Sequence, residues 1–307
     1  MENLLNCFKK FECKKGECKK TCCALWQISV DRKTLNKYKK VKGDFARRIK
    51  EGVDFENSSL CINNGRCAFL NKENLCDIII NLGKEYLGEV CTIHPKFISS
   101  LDEYNECGIG LSCEEGARLL ITFKDKILPN TPPNPSPLKG FDKELIDFRE
   151  ELLHLAYSPA PFRDRIKKIL SFINFSEEEF LLFPLVDALN KMELLDKEWT
   201  SYLSNLKKPS LEISEDIEGE LTNLLVYFIY RHIINAVDKL DLKSRTLFSL
   251  FSTLAIHNIY INSKKVQKDV NLLIDIARGY SAEIEYSEEN LFKLLDLFDE
   301  KIVKTNN

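Results

Sequence analysis

The sequence predicts a mainly α protein in which a cysteine-rich, metal-binding N-terminal half is packed on a C-terminal helical bundle. Three observations carry this. All eleven cysteines precede residue 114. The stretch "KILPNTPPNPSPLKG" at 126–140 places five prolines in nine positions, which no helix or central strand tolerates. From there onward apolar residues recur three and four positions apart, the helical period. The expected organisation is therefore a cysteine-rich region at 1–125, a proline-rich linker at 126–140 and a helical domain at 141–307.

With 44% hydrophobic residues in 307, the chain can bury a sizeable core. No apolar run approaches the roughly 20 residues that cross a bilayer. The start, "MENLLNCFKK", lacks the apolar core of a signal peptide, so a cytoplasmic protein without membrane contact is expected. In a reducing compartment clustered thiols are metal ligands or redox groups rather than disulfides. The first 50 residues carry a local charge of +10 against −3 for the whole chain. Nucleic acid is not the expected partner, because these lysines alternate with cysteines and lack aromatic interleaving or finger spacing. Cations beside thiols favour the thiolate, the form that binds metals.

The N-terminal elements are read around those thiols. In "FECKKGECKKTCC" Cys13, Cys18, Cys22 and Cys23 fall within eleven positions, followed by Cys67 and Cys76, then Cys91 and Cys113. Four thiolates suit structural zinc or an iron–sulfur cluster, and spacing alone leaves both open. The C-x3-C-x2-C spacing of radical S-adenosylmethionine enzymes is not met, since its third position is Leu25. Short runs such as "DIIINLG" and "ARLLITF" suggest short helices and loops rather than a regular sheet, with Gly83 as a helix stop. His94, three residues after Cys91, reads as a neighbour of the thiols rather than a ligand, and Trp26 and Phe69 as packing that shields them.

The C-terminal elements follow from periodicity and caps. Helical segments begin near 141, 162, 176, 218, 245, 266 and 287, and "SEEEF" and "SEENL" place Ser176 and Ser287 before acids as helix N-termini favour. Segment 218–238 is apolar almost all round and is expected as the central helix. Arg231 and His232 interrupt it. A buried charge there requires either an ion pair with Glu283 or Glu285 or an anionic ligand. Those two glutamates, two positions apart, face different sides of a helix, so only one is expected beside Arg231. No glycine-rich nucleotide fingerprint occurs.

"FECKKGECKKTCCALWQISVDRKTLNKY", "CAFLNKENLCDIIINLGKEYLGEVCTIHPKF" and "ECGIGLSCEEGARLL", with "NLLVYFIYRHI" and "GYSAEIEYSEENL" beyond the linker, resemble conserved blocks of the flagellin lysine N-methylase family. More distantly they resemble cysteine-rich zinc- or iron-chelating proteins. The family resemblance implies methyl transfer from S-adenosylmethionine to lysine ε-amines of a protein or peptide such as flagellin. It also implies a thiolate-bound iron–sulfur cluster. The family-like thiols are Cys13, Cys18, Cys22, Cys23, Cys67, Cys76, Cys91 and Cys113, which exceed one zinc site and favour a [4Fe–4S] cluster, with zinc as the alternative. On the same resemblance Glu283, Glu285 and Tyr286 would guide and deprotonate the amine, and Arg231 with His232 would bind the cofactor. The other readings are a metal-binding scaffold without catalysis and a metal-dependent enzyme that modifies another side chain.

Overall fold

The computed structural model describes residues 3–24, 28–101, 104–131, 138–208, 211–263 and 269–305. Leu25, Trp26 and residues 132–137 of the proline-rich stretch lie outside the described residues. Helices dominate, as the sequence predicts. Contacts divide the chain into two units, Glu12–Lys96 and a second formed by residues up to Phe11 together with Phe97 onward.

The first unit contains β1 (Ile28–Ser29), α1 (Arg32–Tyr38), α2 (Phe45–Gly52), β2 (Val53–Asp54), β3 (Ser59–Leu60), β4 (Ile62–Asn63), β5 (Arg66–Cys67), α3 (Asp77–Leu82) and α4 (Glu89–Ile93). Short helices and two-residue strands replace any extended sheet. The order β1-β3-β2 is antiparallel and pairs Leu60 with both Ile28 and Val53. Asp31 joins two helix starts: its carboxylate accepts from Thr34 N at 2.9 Å and from Glu89 N at 3.0 Å. Those two backbone donors hold its pKa at about 2. Gly83 ends α3 with a φ of 94°, a conformation open to glycine and strained for other residues.

The second unit begins with the strand pair β6 (Lys96–Leu101) and β7 (Tyr104–Ile109) and continues with α5 (Glu114–Ile121), α6 (Gly140–Ala156) and α7 (Phe162–Phe172). Segment 176–208, one helical stretch by periodicity, is three short helices: α8 (Glu177–Leu181), α9 (Leu185–Asn190) and α10 (Trp199–Leu203). Pro184 separates the first two, since it donates no hydrogen bond and restricts the residue before it. Then come α11 (Glu218–His232), α12 (Lys239–Asn262), α13 (Val270–Tyr280) and α14 (Glu288–Thr305). Ser176 and Ser287 cap as expected, accepting from Glu179 N at 3.0 Å and Asn290 N at 3.1 Å.

All of Leu221–Tyr230 is buried, so α11 is the central helix that its sequence suggests. It shares that position with α12, buried throughout Ser244–Tyr260 and packed on α11, α13 and α14. Helix α12 hides its polarity internally. Thr246, Ser249 and Thr253 donate to carbonyls four residues earlier at 2.7, 2.8 and 2.9 Å. Each large apolar side chain buried between these helices, such as Leu224 or Phe228, contributes about 1.5–3 kcal/mol. Among the described residues no helix is long and apolar enough to cross a membrane.

Candidate functional site

Two clusters bring together residues that the sequence singles out, one in each unit. In the helical unit α13 runs directly into a single π turn, Ser281–Glu285, before Tyr286 and α14. Such a widened turn re-aims the side chains it carries and recurs at functional sites. Here it directs Glu285 against the last turn of α11.

The Glu285 side chain is fully buried and is met by Arg231 Nε at 3.1 Å and His232 Nε2 at 2.8 Å. Tyr227 Oη donates to it at 3.2 Å while accepting from Arg231 Nη1 at 2.6 Å and from Leu111 N at 3.2 Å. The Arg231 guanidinium lies over three rings, with its central carbon 4.9 Å from the Tyr286 centroid, 5.1 Å from Phe97 and 5.9 Å from Tyr227. Glycine at 110 makes room for this: a Cβ there would lie 2.0 Å from Tyr286 Oη and 3.0 Å from Arg231 Nη1. Burial alone would raise the Glu285 pKa, yet Arg231 and then His232 hold it below the ordinary carboxylate value. Burial lowers the His232 pKa against the opposing pull of Glu285, which leaves a neutral imidazole beside an ionised carboxylate near pH 7.

Glu283 faces away from this cluster, as a spacing of two requires. It accepts from Leu195 N at 2.9 Å and Asp196 N at 2.5 Å. Asn290 reinforces the same junction by donating to the carbonyls of Glu193 and Glu283 at 2.9 and 2.8 Å. Glu283 therefore pins the 193–196 loop to the π turn. Of the residues expected at the site, Arg231, His232, Glu285 and Tyr286 converge, whereas Glu283 serves the loop.

In the first unit Cys23, Cys76 and Cys91 pack against an apolar cluster that contains Cys67. Backbone bonds stitch their segments together: Cys67 N donates to Cys23 O at 2.9 Å and Asp77 N to Phe69 O at 2.8 Å. Phe69, wholly buried, packs in that cluster as the sequence suggests. Burial pushes Cys67 up to about 11 and Cys91 to about 12, and raises Cys76 too. Cys23 goes the other way, to about 7, chiefly through a hydrogen bond from Cys22. Cys67, Cys76 and Cys91 each feel the charge of Cys23. Among the described residues, however, no three His, Cys, Asp or Glu side chains close into a metal-ligand group.

The remaining family-like thiols do not pack in that apolar cluster, although Cys22 hydrogen-bonds Cys23 from beside it. Cys13 and Cys22 are exposed and Cys18 half-buried, and Cys113 sits in the other unit at the N-cap position of α5. His94 follows α4 directly, three positions after Cys91. Sequence reasoning missed Phe97, Tyr227 and Gly110. The available signal was "ECGIGL", which runs from β7 to just past its last residue, because glycines alternating with apolar residues in and beside a strand mark places where other groups approach the backbone. Gly108 fits the same pattern, since a Cβ there would lie 2.4 Å from Phe97 Cζ.

The profile of the FliB lysine N-methylase C-terminal domain matches residues 76–306. The chain is similar to a lysine-N-methylase of Salmonella typhimurium, 24% identical over 153 residues that make up 45% of this chain and 38% of that protein. A lysine-N-methylase of Salmonella choleraesuis is likewise 24% identical, over 152 residues. The flagellar biosynthetic protein FliU of Salmonella muenchen is 25% identical over 124 residues, which cover 38% of this chain and 73% of FliU. The match thus spans about two-fifths (38%) of the length of the two lysine-N-methylases. No solved structure matches.

Proposed function

The chain belongs to the FliB lysine N-methylase family, and from that membership we propose that it transfers methyl groups from S-adenosylmethionine to lysine ε-amines of a protein substrate. The observation that carries this reading is the family match over residues 76–306, which contains the whole Arg231–Glu285–Tyr286 cluster. S-adenosylmethionine supplies the electrophilic methyl group when bound. The protein has to supply a deprotonated amine. At neutral pH a lysine of pKa near 10.4 is about 3.4 units from that state, roughly 4.6 kcal/mol. Glu285, held ionised by Arg231, attracts the ammonium, and half-buried Tyr286 lies where the cluster approaches the surface. His232, neutral and 2.8 Å from Glu285, donates its Nε2 hydrogen to that carboxylate and holds it in place, which leaves the Glu285 carboxylate as the group that meets the ammonium and takes its proton.

The donor set formed by Cys23, Cys67, Cys76 and Cys91 fits a thiolate metal centre by its chemistry: four thiols on one apolar cluster, one of them titrating near neutrality. These residues would hold an iron–sulfur cluster, or zinc in its place. Such a centre would staple a unit whose strands are only two residues long. The name of the FliU relative supports a flagellar protein as substrate, and reduced thiols suit the cytoplasm.

The test uses anaerobically purified full-length protein, methyl-labelled S-adenosylmethionine and flagellar filament protein or lysine-rich peptides. Label recovered on lysine supports the reading. Cofactor binding with label on another side chain overturns the lysine assignment, and a metal-loaded protein that neither binds the cofactor nor transfers label is a scaffold.

A further inference from the structure

An ion pair between Arg231 and Glu285 needs two groups, yet the guanidinium is also enclosed by Phe97, Tyr227 and Tyr286, all with centroids within 6 Å of its central carbon. Rings at that distance attract a cation through their electron-rich faces, and several of them around one point make the cage used to recognise alkylammonium groups. Cages of this kind are usually left open for a ligand. This one is filled by the protein's own side chain.

Three of the four walls have holds besides Arg231. Phe97 occupies space that a Cβ at Gly108 would take, and it meets Tyr227 edge-on with centroids 5.9 Å apart. Tyr227 is anchored by Leu111 N at 3.2 Å, and Glu285 is fixed by the π turn and by His232 at 2.8 Å. Arg231 has both a route out and the freedom to use it. It lies in the last turn of α11 with 12% of its side chain exposed and rotates about four bonds.

We propose that Phe97, Tyr227, Tyr286 and Glu285 form a cation cage for the ammonium of the substrate lysine, and that Arg231 plugs the cage until the lysine displaces it. The carboxylate that holds the guanidinium at 3.1 Å then meets the incoming ammonium, so the buried charge is paired in both states. The free enzyme avoids an empty, uncompensated anion, and only a cation of the right shape opens the site. The methyl-transfer reading supplies the identity of the occupant; the cage itself stands on the geometry.

The probe is n-butylammonium, which carries the four carbons and the amine of a lysine side chain. Arg231→Gln and Arg231→Ala are melted in full-length protein against rising n-butylammonium chloride, with sodium chloride at equal ionic strength and n-butanol as controls. The expected result is a saturable rise in Tm with the ammonium alone. Adding Glu285→Gln should abolish it, and adding Phe97→Leu should weaken the apparent affinity by about two- to fivefold, the worth of one ring. A rise that sodium chloride reproduces, or that survives Glu285→Gln, overturns the cage. Should both Arg231 variants be insoluble, recovery of soluble protein on refolding with n-butylammonium supports the proposal, and no recovery overturns it. An ammonium response in a protein that transfers no methyl keeps the cage and removes the methyl-transfer reading; methyl transfer without any ammonium response does the reverse.

Discussion

Substituting Glu285 by glutamine tests whether the charged cluster is an energetic centre of the helical unit. The change keeps shape and volume but leaves Arg231 opposite a neutral amide, with three rings on its other sides. Removing one partner of a buried ion pair costs about 3–5 kcal/mol, because the remaining charge stays desolvated. In a unit of this size each kcal/mol shifts the midpoint by about 2–4 °C, so melting followed by circular dichroism should fall by roughly 6–20 °C. The pH dependence gives a second readout. His232 has a lowered pKa, so its contribution is complete above about 6.5 and is lost as pH falls through the gap between its unfolded and folded values. Glu285 also has a lowered pKa, so its contribution is complete above about 4.3 and lost on further acidification. Wild type should therefore lose stability in two stages toward acid. The glutamine variant should keep the first, which burial of His232 causes, and lose the second. A midpoint within about 2 °C of wild type, or an unchanged acid limb below about pH 4, would refute the cluster as a buried pair.

Further outcomes follow from neighbouring geometry. Gly110→Ala should displace Tyr286, whose hydroxyl lies 2.0 Å from the new Cβ, costing about 1–3 kcal/mol and raising KM for a lysine peptide; an unchanged KM would separate Tyr286 from the substrate. Gly219→Ala, in the first turn of α11 with nothing within 4 Å of the new Cβ, should stabilise the protein by about 0.5–1 kcal/mol in urea titration. After anaerobic preparation, Cys67→Ser and Cys91→Ser should lose bound iron, sulfide or zinc, whereas exposed Cys13→Ser should retain it; equal retention by all three would remove the thiol core as the metal site.

Much of the helical unit was legible because its causes are local. Capping serines precede acids at Ser176 and Ser287, the apolar period runs through α11, and both features survive as read. The break at Pro184 was missed, because the apolar period around it outweighed the missing donor of the proline in the reading of 176–208 as one helix. Helix α12 was not singled out as central: serines and threonines interrupt its apolar pattern, while in the fold their hydroxyls turn back on the helix's own carbonyls.

The site was legible only in part, and the reason lies in the period of the pattern. That Glu283 and Glu285 diverge follows from helical geometry, but the π turn that aims Glu285 at Arg231 leaves no mark in a 3.6-residue count. Phe97 and Tyr227 come from a strand and a helix far apart in sequence, and each alone reads as core. Gly108 and Gly110 are the residues that betray them. A strand or its end gains nothing from glycine unless something must come close to its backbone, and here Phe97 approaches Gly108 in β7 and Tyr286 with Arg231 approaches Gly110 just after it. The thiols illustrate the converse. Their clustering in sequence is plain, yet which of them share a core depends on backbone pairing of 66–70 with 23–24 and 76–77, so Cys67, Cys76 and Cys91 join Cys23 while its near neighbours Cys13 and Cys18 do not. Proximity along the chain marked the thiols, and long-range pairing decides which of them share one core.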